Sequence, residues 1–156
     1  MRPQTNQRGF SLIELLIVVA VIGIISAIAI PNLLASRRAA NEASAISAVR
    51  NLSSVEEAYR STYGGGSTFA TFGELLSYEM IDSNLASATT VATAKSGYLY
   101  AITLTGGATV FCAGAAPATA NTGTRNFSSN EPGAIFQHPL SVATPPTSIA
   151  GGTPLK

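Results

Sequence analysis

The first thirty residues change abruptly from polar to apolar. Residues 1–9 are polar and carry Arg2 and Arg8 but no acid, whereas the 21 residues from Phe10 to Ile30 contain a single charge, Glu14. As a helix this run would be roughly 30 Å long, which matches the hydrocarbon core of a bilayer. The pattern predicts a transmembrane helix at 10–30, with the basic N-terminal side in the cytoplasm and the remainder outside.

Helical spacing continues through residues 31–63, which we predict to be an amphipathic helix entering a globular domain. Apolar residues recur every three or four positions and form one stripe: Ile46, Val49, Leu52, Val55 and Tyr59. Glu42, Glu56 and Arg60 fall off this stripe, and Glu56 and Arg60 have the i,i+4 spacing of a surface ion pair. The stripe is expected to pack against the rest of the domain.

The segment after this helix is predicted to connect it to a sheet. Gly64-Gly65-Gly66 ends the helix, and residues 64–96 form a connecting region with its own short helix. Thr71-x-x-Glu74 has the spacing of a capping box at the start of that short helix.

Residues 97–138 have the pattern of an antiparallel sheet. Gly97–Thr105 alternates as one strand, and Gly106-Gly107 indicates a two-residue turn into Ala108–Ala113. Thr124–Ser128 and Gly133–His138 are predicted as a second hairpin, and residues 139–156 as an extended or disordered tail rich in Pro, Thr, Ser and Gly. The fold class is α+β, with a long N-terminal helix packed on a small antiparallel sheet.

Composition excludes several classes of function. The formal net charge is +1 with no run of Lys or Arg, so no nucleic-acid surface is indicated. Cys112 is the one cysteine, so an intramolecular disulfide is impossible, and its apolar neighbours predict a small buried hydrophobe. His138 has no partner at metal-ligand spacing, and no nucleophile elbow or phosphate-binding loop occurs. We therefore expect no catalytic residues, no metal, no cofactor and no enzyme activity.

Glu14 is the informative residue of the apolar run. A carboxylate at mid-bilayer costs about 2.5–3.5 kcal/mol, and less near the end of the span, so such a residue is presumed functional. It lies four residues after Phe10. If the chain is cut between Gly9 and Phe10, the new α-amine is a cation that could pair with Glu14 of the same chain or of a neighbouring one.

The residues around this junction resemble a known family. Arg8-Gly9-Phe10-Ser11-Leu12-Ile13-Glu14, followed by LLIVVAVIGIISAIAIP, is similar from Gln7 to Pro31 to the N-terminal signal of type IV pilins and type II secretion pseudopilins. The resemblance implies that a prepilin peptidase removes the leader at 1–9 by cutting between Gly9 and Phe10, and then methylates the Phe10 amine. It also implies that Glu14 engages the Phe10 amine of an adjacent subunit during assembly.

Two further positions match the family. Gly23 and Pro31 correspond to sites where the helix loosens in assembled filaments. Glycine lowers helix propensity, and proline deletes one helical hydrogen bond, so both residue types suit that role.

The resemblance implies a structural subunit, a pilin, that polymerises into a type IV pilus-like filament. Its partners would be copies of itself, prepilin peptidase, an inner-membrane assembly platform with its ATPase, and membrane lipid before assembly. The expected location is the bacterial inner membrane for precursor and processed monomer, and an extracellular or periplasmic filament after assembly.

Other functions stay open at this point. A type II secretion pseudopilin is the main alternative. One cysteine cannot close the disulfide loop of many major pilins, and no acidic loop suggests the calcium site of the major secretion pseudopilin, so the subclass stays open. A membrane-anchored domain that does not polymerise is another, although an anchor needs neither Glu14 nor the Gly9-Phe10 junction. Cleavage as an ordinary secretory signal at Ala27-Ile28-Ala29 would instead release a soluble domain.

Overall fold

The computed structural model describes residues 9–155, so residues 1–8 of the predicted leader lie outside the described part of the chain. The described chain divides into two units, one ending at Ser36 and the other beginning at Arg37. The second unit holds the sheet and the hydrophobic core.

Helix α1 spans Leu12–Thr62, 51 residues, and includes Pro31. It ends at three consecutive glycines, as the sequence predicts. The backbone N–H of Gly64 donates to the carbonyl of Tyr59 at 2.9 Å, and a Cβ at Gly64 would lie 2.1 Å from the carbonyl oxygen of Thr68. The chain therefore passes too close to itself here for any side chain at position 64.

The unit from Arg37 onward contains a five-stranded antiparallel sheet in the order β1-β2-β3-β4-β5. Its strands are β1 Tyr98–Thr105, β2 Val110–Pro117, β3 Asn126–Glu131, β4 Ala134–His138 and β5 Thr153–Pro154. Between α1 and the sheet lie two short helices, α2 Phe72–Ser77 and α3 Ser83–Ser87, and a 3-10 turn at Val91–Thr93. The predicted α+β class, with a long N-terminal helix and a small antiparallel sheet, is confirmed.

The core lies between one face of the sheet and the part of α1 within this unit. Tyr98, Tyr100, Phe111 and Phe127 of the sheet are almost fully buried together with Val49 and Leu52 of the helix. Across β1 and β2, Tyr100 stands opposite Ala115 and Leu104 opposite Phe111. Large side chains thus face small ones at some positions, which lets the sheet fit the helix closely.

The predicted stripe on α1 is partly wrong in phase. The buried positions are Glu42, Ala45, Val49, Leu52, Ser53, Glu56 and Tyr59. Ile46 and Val55 are only half-buried, whereas two acids that the sequence pattern placed off the stripe lie inside. The predicted pair of Glu56 with Arg60 is also wrong, because Arg60 pairs with Glu57 instead. Each buried acid meets a partner from a distant segment, which periodicity along the helix cannot reveal.

The first hairpin and the tail also differ from expectation. Thr105 pairs with Val110, so the loop has four residues rather than two, and β2 continues to Pro117. The tail is ordered against the other face of the sheet. The amide of Asn126 donates to the carbonyls of Ser141 and Thr144 at 3.1 and 3.2 Å, and β5 pairs with β4. This packing buries β2 on both faces, which accounts for its short apolar side chains.

Candidate assembly site at the N-terminal helix

The first half of α1 presents an apolar surface to its surroundings. From Phe10 to Leu34 every Leu, Ile, Val and Phe side chain is exposed, and Phe10 is 87% exposed. This stretch contains a window long and apolar enough to cross a membrane, with mean hydropathy 2.9 and none of it buried. Water is a poor solvent for such a surface, so lipid or other protein chains must cover it.

The Gly9–Phe10 junction lies just before this helix. Both residues are exposed and have irregular backbone, since α1 begins at Leu12. No atom of the described chain comes within 4 Å of the place where a Cβ at Gly9 would stand. Among the described residues, none therefore covers the peptide bond between Gly9 and Phe10.

Glu14 lies in the first turn of α1, and its side chain bonds back to the backbone at the start of that turn. Its Oε2 accepts a hydrogen bond from the backbone N–H of Ser11 at 2.8 Å, and the N–H of Leu15 donates to the Ser11 carbonyl at 3.3 Å. The first N–H groups of a helix have no partner inside it, and a carboxylate there also interacts favourably with the helix dipole. Glu14 thus stabilises the start of the helix in the uncut chain.

This local role was missed in the sequence, although a signal for it exists. Ser11-x-x-Glu14 has the spacing of a capping box, the same signal that predicted the start of α2. There the prediction is confirmed, because Thr71 and Glu74 make both hydrogen bonds of the box. The carboxylate of Glu14 is exposed and contacts Ser11, while the nitrogen of Phe10 is still an amide in the uncut chain and carries no charge.

Gly23 and Pro31 lie farther along the same helix and away from the junction. The helix runs through both without a break, and the surroundings of Gly23 would leave room for a side chain. The amide of Asn32 donates to the Ile28 carbonyl at 3.1 Å, one turn before it. Loosening at Gly23 and Pro31 within a filament stays a prediction.

The domain residues whose side chains could in principle react are buried and have structural roles. Ser128 Oγ lies 2.6 Å from Nε2 of His138, but Ser128 is fully buried, and burial holds the pKa of His138 below its ordinary value. Burial raises the pKa of Cys112 to about 11, so the thiol is neutral, as expected of a small buried hydrophobe. Among residues 9–155, no cluster of three His, Cys, Asp or Glu could hold a metal ion.

Known proteins resemble the chain chiefly through the N-terminal segment. Residues 4–30 match the family described as the prokaryotic N-terminal methylation motif. The type IV wide pilus major component PilA4 of Thermus thermophilus is 62% identical over 37 residues, which are 24% of this chain and 28% of the relative. No solved structure is significantly similar to the chain.

Secretion proteins resemble it over a somewhat longer stretch. The type II secretion system core protein G of Escherichia coli is 32% identical over 60 residues, 38% of this chain and 41% of the relative. The protein of the same name from Pectobacterium carotovorum is 32% identical over 55 residues, 35% of each chain. The chain thus spans well under half the length of the curated relatives it matches, and none of their names describes an enzyme. In its N-terminal segment the chain carries the prokaryotic N-terminal methylation motif, and its homologues are a type IV pilin and type II secretion pseudopilins.

Proposed function

We propose that this chain is the structural subunit of a type IV pilus-like filament, formed by polymerisation through the helix at residues 10–30. The observation that carries the proposal is the exposed apolar surface of α1 joined to a methylation motif. Lipid covers this surface before assembly, and the same helices of neighbouring copies cover it afterwards. In this account the chain has a structural role and performs no catalysis.

Processing prepares the helix for assembly. A prepilin peptidase cuts the exposed bond between Gly9 and Phe10 and methylates the new amine. Cutting converts an uncharged amide nitrogen into a cation at the end of the apolar run, four residues from Glu14. The leader with Arg2 and Arg8 is lost in the same step, so the helix keeps one acid and one amine in an otherwise apolar stretch.

Glu14 then selects the register between neighbouring helices. An acid and an amine in an apolar environment attract each other strongly, and each is costly when left alone. In the monomer the Glu14 carboxylate is held by the N–H of Ser11. In the filament it engages the Phe10 amine of an adjacent subunit, which fixes the axial shift between copies. Gly23 and Pro31 let the helix loosen where the packed copies require it.

The machinery that would act on the chain follows from this role. An inner-membrane platform with an assembly ATPase extracts processed subunits from the bacterial inner membrane and adds them to a filament. The product is exposed outside the cell, or in the periplasm if the chain serves a secretion system. The similarity to the core protein G relatives supports the same processing and assembly of the subunit. It does not favour a periplasmic over an extracellular filament.

The test uses the native strain. The intact mass of the membrane-embedded chain should equal residues 10–156 plus one methyl group, and filaments sheared from the cell surface should contain this chain as their main component. A mature N-terminus at Ile30 would contradict the proposal and favour ordinary secretion. Correct processing with no filament on the cell surface, together with loss of protein export on deletion, would assign the chain to a secretion system.

A further inference from the structure

Two adjacent arginines, Arg37 and Arg38, follow the apolar segment of α1 after two small residues. Between Glu14 and Glu42 they are the only charged residues of the chain. Arg37 is exposed, and Arg38 is half-buried. The first charges that follow the exposed apolar surface are therefore both positive.

The described part of the chain supplies no counter-ion for this pair. Neither arginine forms an ion pair with any residue between 9 and 155. Arg38 donates to neutral groups, the carbonyl and side-chain oxygens of Asn121, at 3.4 and 3.3 Å. Glu42, one turn after Arg38, is buried and already paired with Arg125. Two neighbouring guanidinium groups repel each other, so an anion from outside the chain stabilises them.

The position of the pair along the helix indicates which anion it meets. Phe10 and Arg37 are twenty-seven residues apart in the sequence, which is about 40 Å of α-helix. A bilayer is about 40–45 Å thick when both headgroup layers are included. A chain whose new N-terminus lies at the cytoplasmic headgroups therefore brings Arg37 to the phosphates of the opposite leaflet. Arg50, the next arginine, follows about 20 Å farther along the helix and lies beyond the headgroups.

The arginine side chain suits a phosphate at the edge of an apolar layer. Its planar guanidinium donates two parallel hydrogen bonds to phosphate oxygens, and it is more weakly hydrated than an ammonium group. Its aliphatic stem can lie along hydrocarbon while the charged end reaches the headgroup. Removal of the leader also takes away Arg2 and Arg8, so Arg37 and Arg38 are the arginines that flank the span afterwards.

We propose that Arg37, assisted by Arg38, binds phosphate groups of phospholipids in the outer leaflet of the inner membrane while the processed chain awaits assembly. The contact rests on the proposed function, because it requires the apolar helix to span the bilayer. Arg37 is the main ligand, since Asn121 holds the guanidinium of Arg38 against the domain. The contact sets the depth of the helix in the bilayer, and it is broken when the subunit enters the filament.

Solid-state NMR of the processed full chain detects the contact. The chain, with carbon-13 at the guanidinium carbon of arginine, is placed in vesicles of phosphatidylethanolamine and phosphatidylglycerol in phosphate-free buffer. Dephasing of the arginine signal by phosphorus-31 then reports guanidinium groups beside a lipid phosphate. Arg37→Gln should remove about half or more of the dephased signal, because the neutral amide cannot replace the paired guanidinium bonds, and Arg37→Gln/Arg38→Gln should remove nearly all of it. Arg50→Gln, with the same change in charge at another exposed position of α1, is the matched control and should keep the signal.

The outcomes separate this contact from its alternatives. A wild-type signal that phosphorus-31 does not dephase, or dephasing that persists in the double variant, would overturn the lipid contact. If the wild type shows no dephasing and the double variant inserts normally but yields few filaments, the arginines contact a neighbouring subunit instead. Dephasing that appears only after inorganic phosphate is added would also overturn it. Absence of wild-type filaments on cells would contradict the proposed function, whereas normal filaments without dephasing would leave that function intact. Unchanged circular dichroism shows that each variant folds.

Discussion

Oε2 of Glu56 accepts a hydrogen bond from the backbone N–H of Ala70 at 2.9 Å, while Oε1 of the same carboxyl is buried without a partner in the described chain. Glu56 is fully buried, and this burial is the main reason that its pKa rises to about 7. The hydrogen bond ties the loop after α1 to the helix itself. The carboxyl is thus a buried acid that is neutral at acidic pH and ionises near neutral pH.

The first prediction concerns the pH dependence of stability. Between about pH 4.5 and 7 the native domain binds one proton more than the unfolded chain, so its free energy of unfolding should fall as pH rises. The loss should approach about 3 kcal/mol and level off above the native pKa. Urea unfolding of the domain from Asn32 onward, followed by circular dichroism at a series of pH values, measures it. In Glu56→Gln, which cannot ionise, this falling slope should vanish and leave only the rise with pH that comes from His138, whose native pKa is lowered by burial; a falling slope equal to that of the wild type would show that another group causes it.

A second prediction concerns Glu42 and Arg125. Both Nε and a terminal nitrogen of Arg125 donate to Oε2 of Glu42, at 3.1 and 2.7 Å, and Thr124 donates twice to Oε1. Burial acts to raise the pKa of Glu42, but these hydrogen bonds hold it below its ordinary value. The stabilisation is present above the unfolded pKa and is lost as pH falls through the native one.

Arg125→Ala should therefore destabilise the domain at pH 7 by about 1–2 kcal/mol, because it leaves a nearly buried carboxylate without its cation. Lys95→Ala, which removes the more exposed pair with Asp82, is the control and should change stability by less than about 0.5 kcal/mol. Equal effects of the two substitutions in urea unfolding would contradict the special role of the Glu42 pair.

The third prediction is that the domain from Asn32 onward folds without the apolar segment, since the described core lies entirely beyond Arg37. Within it, Val49→Asp should abolish folding, because Val49 is fully buried and an unpaired charge there costs several kcal/mol, about 3 or more. Ile46→Asp is the neighbouring comparison and should leave a folded though weakened domain, since Ile46 is only half-buried. Circular dichroism of a disordered wild-type domain would refute the independence of this unit.

The sequence patterns predicted where helices and strands lie better than they predicted which distant residues contact each other. Alternation identified the strands, and the glycines after Tyr63 identified the end of α1, because both signals are local. The burial of Glu42 and Glu56 was not predicted, because an acid on a helix is expected in solvent unless a distant group meets it. Those groups, Arg125 and the N–H of Ala70, lie 83 and 14 residues away along the chain.

The residues of the candidate assembly site could be identified from the sequence because they too lie close together along the chain. The apolar run, Glu14 and the Gly9-Phe10 junction are contiguous, and a resemblance over so short a segment needs no knowledge of the tertiary fold. The hydrogen bond from Ser11 to Glu14 is equally local and could have been predicted from the spacing alone. The stacking of Tyr63 on Tyr78, with ring centroids 4.1 Å apart, could not, because it depends on the path of the chain between α1 and α2.

The fourth prediction tests processing. Gly9→Val places a branched side chain beside the bond to be cut, so the prepilin peptidase should leave the chain uncut. Position 9 is exposed and outside the helix, and therefore the substitution should not change the fold. Intact mass of the membrane fraction should show residues 1–156 without a methyl group. A chain of residues 10–156 from this variant would show that the peptidase does not require glycine here.

The most direct measurement compares sheared-filament yield from wild type, Glu14→Leu and Glu14→Gln, with the processed chain in the membrane as reference. Glutamine keeps an oxygen that can accept the Ser11 N–H but has no charge for the Phe10 amine, so it separates the local role of Glu14 from its proposed role between subunits. We expect both variants to insert and to be processed normally, and both to yield few or no filaments. Wild-type filament yield from Glu14→Leu would contradict polymerisation through this helix contact, and wild-type yield from Glu14→Gln alone would reduce Glu14 to a helix cap.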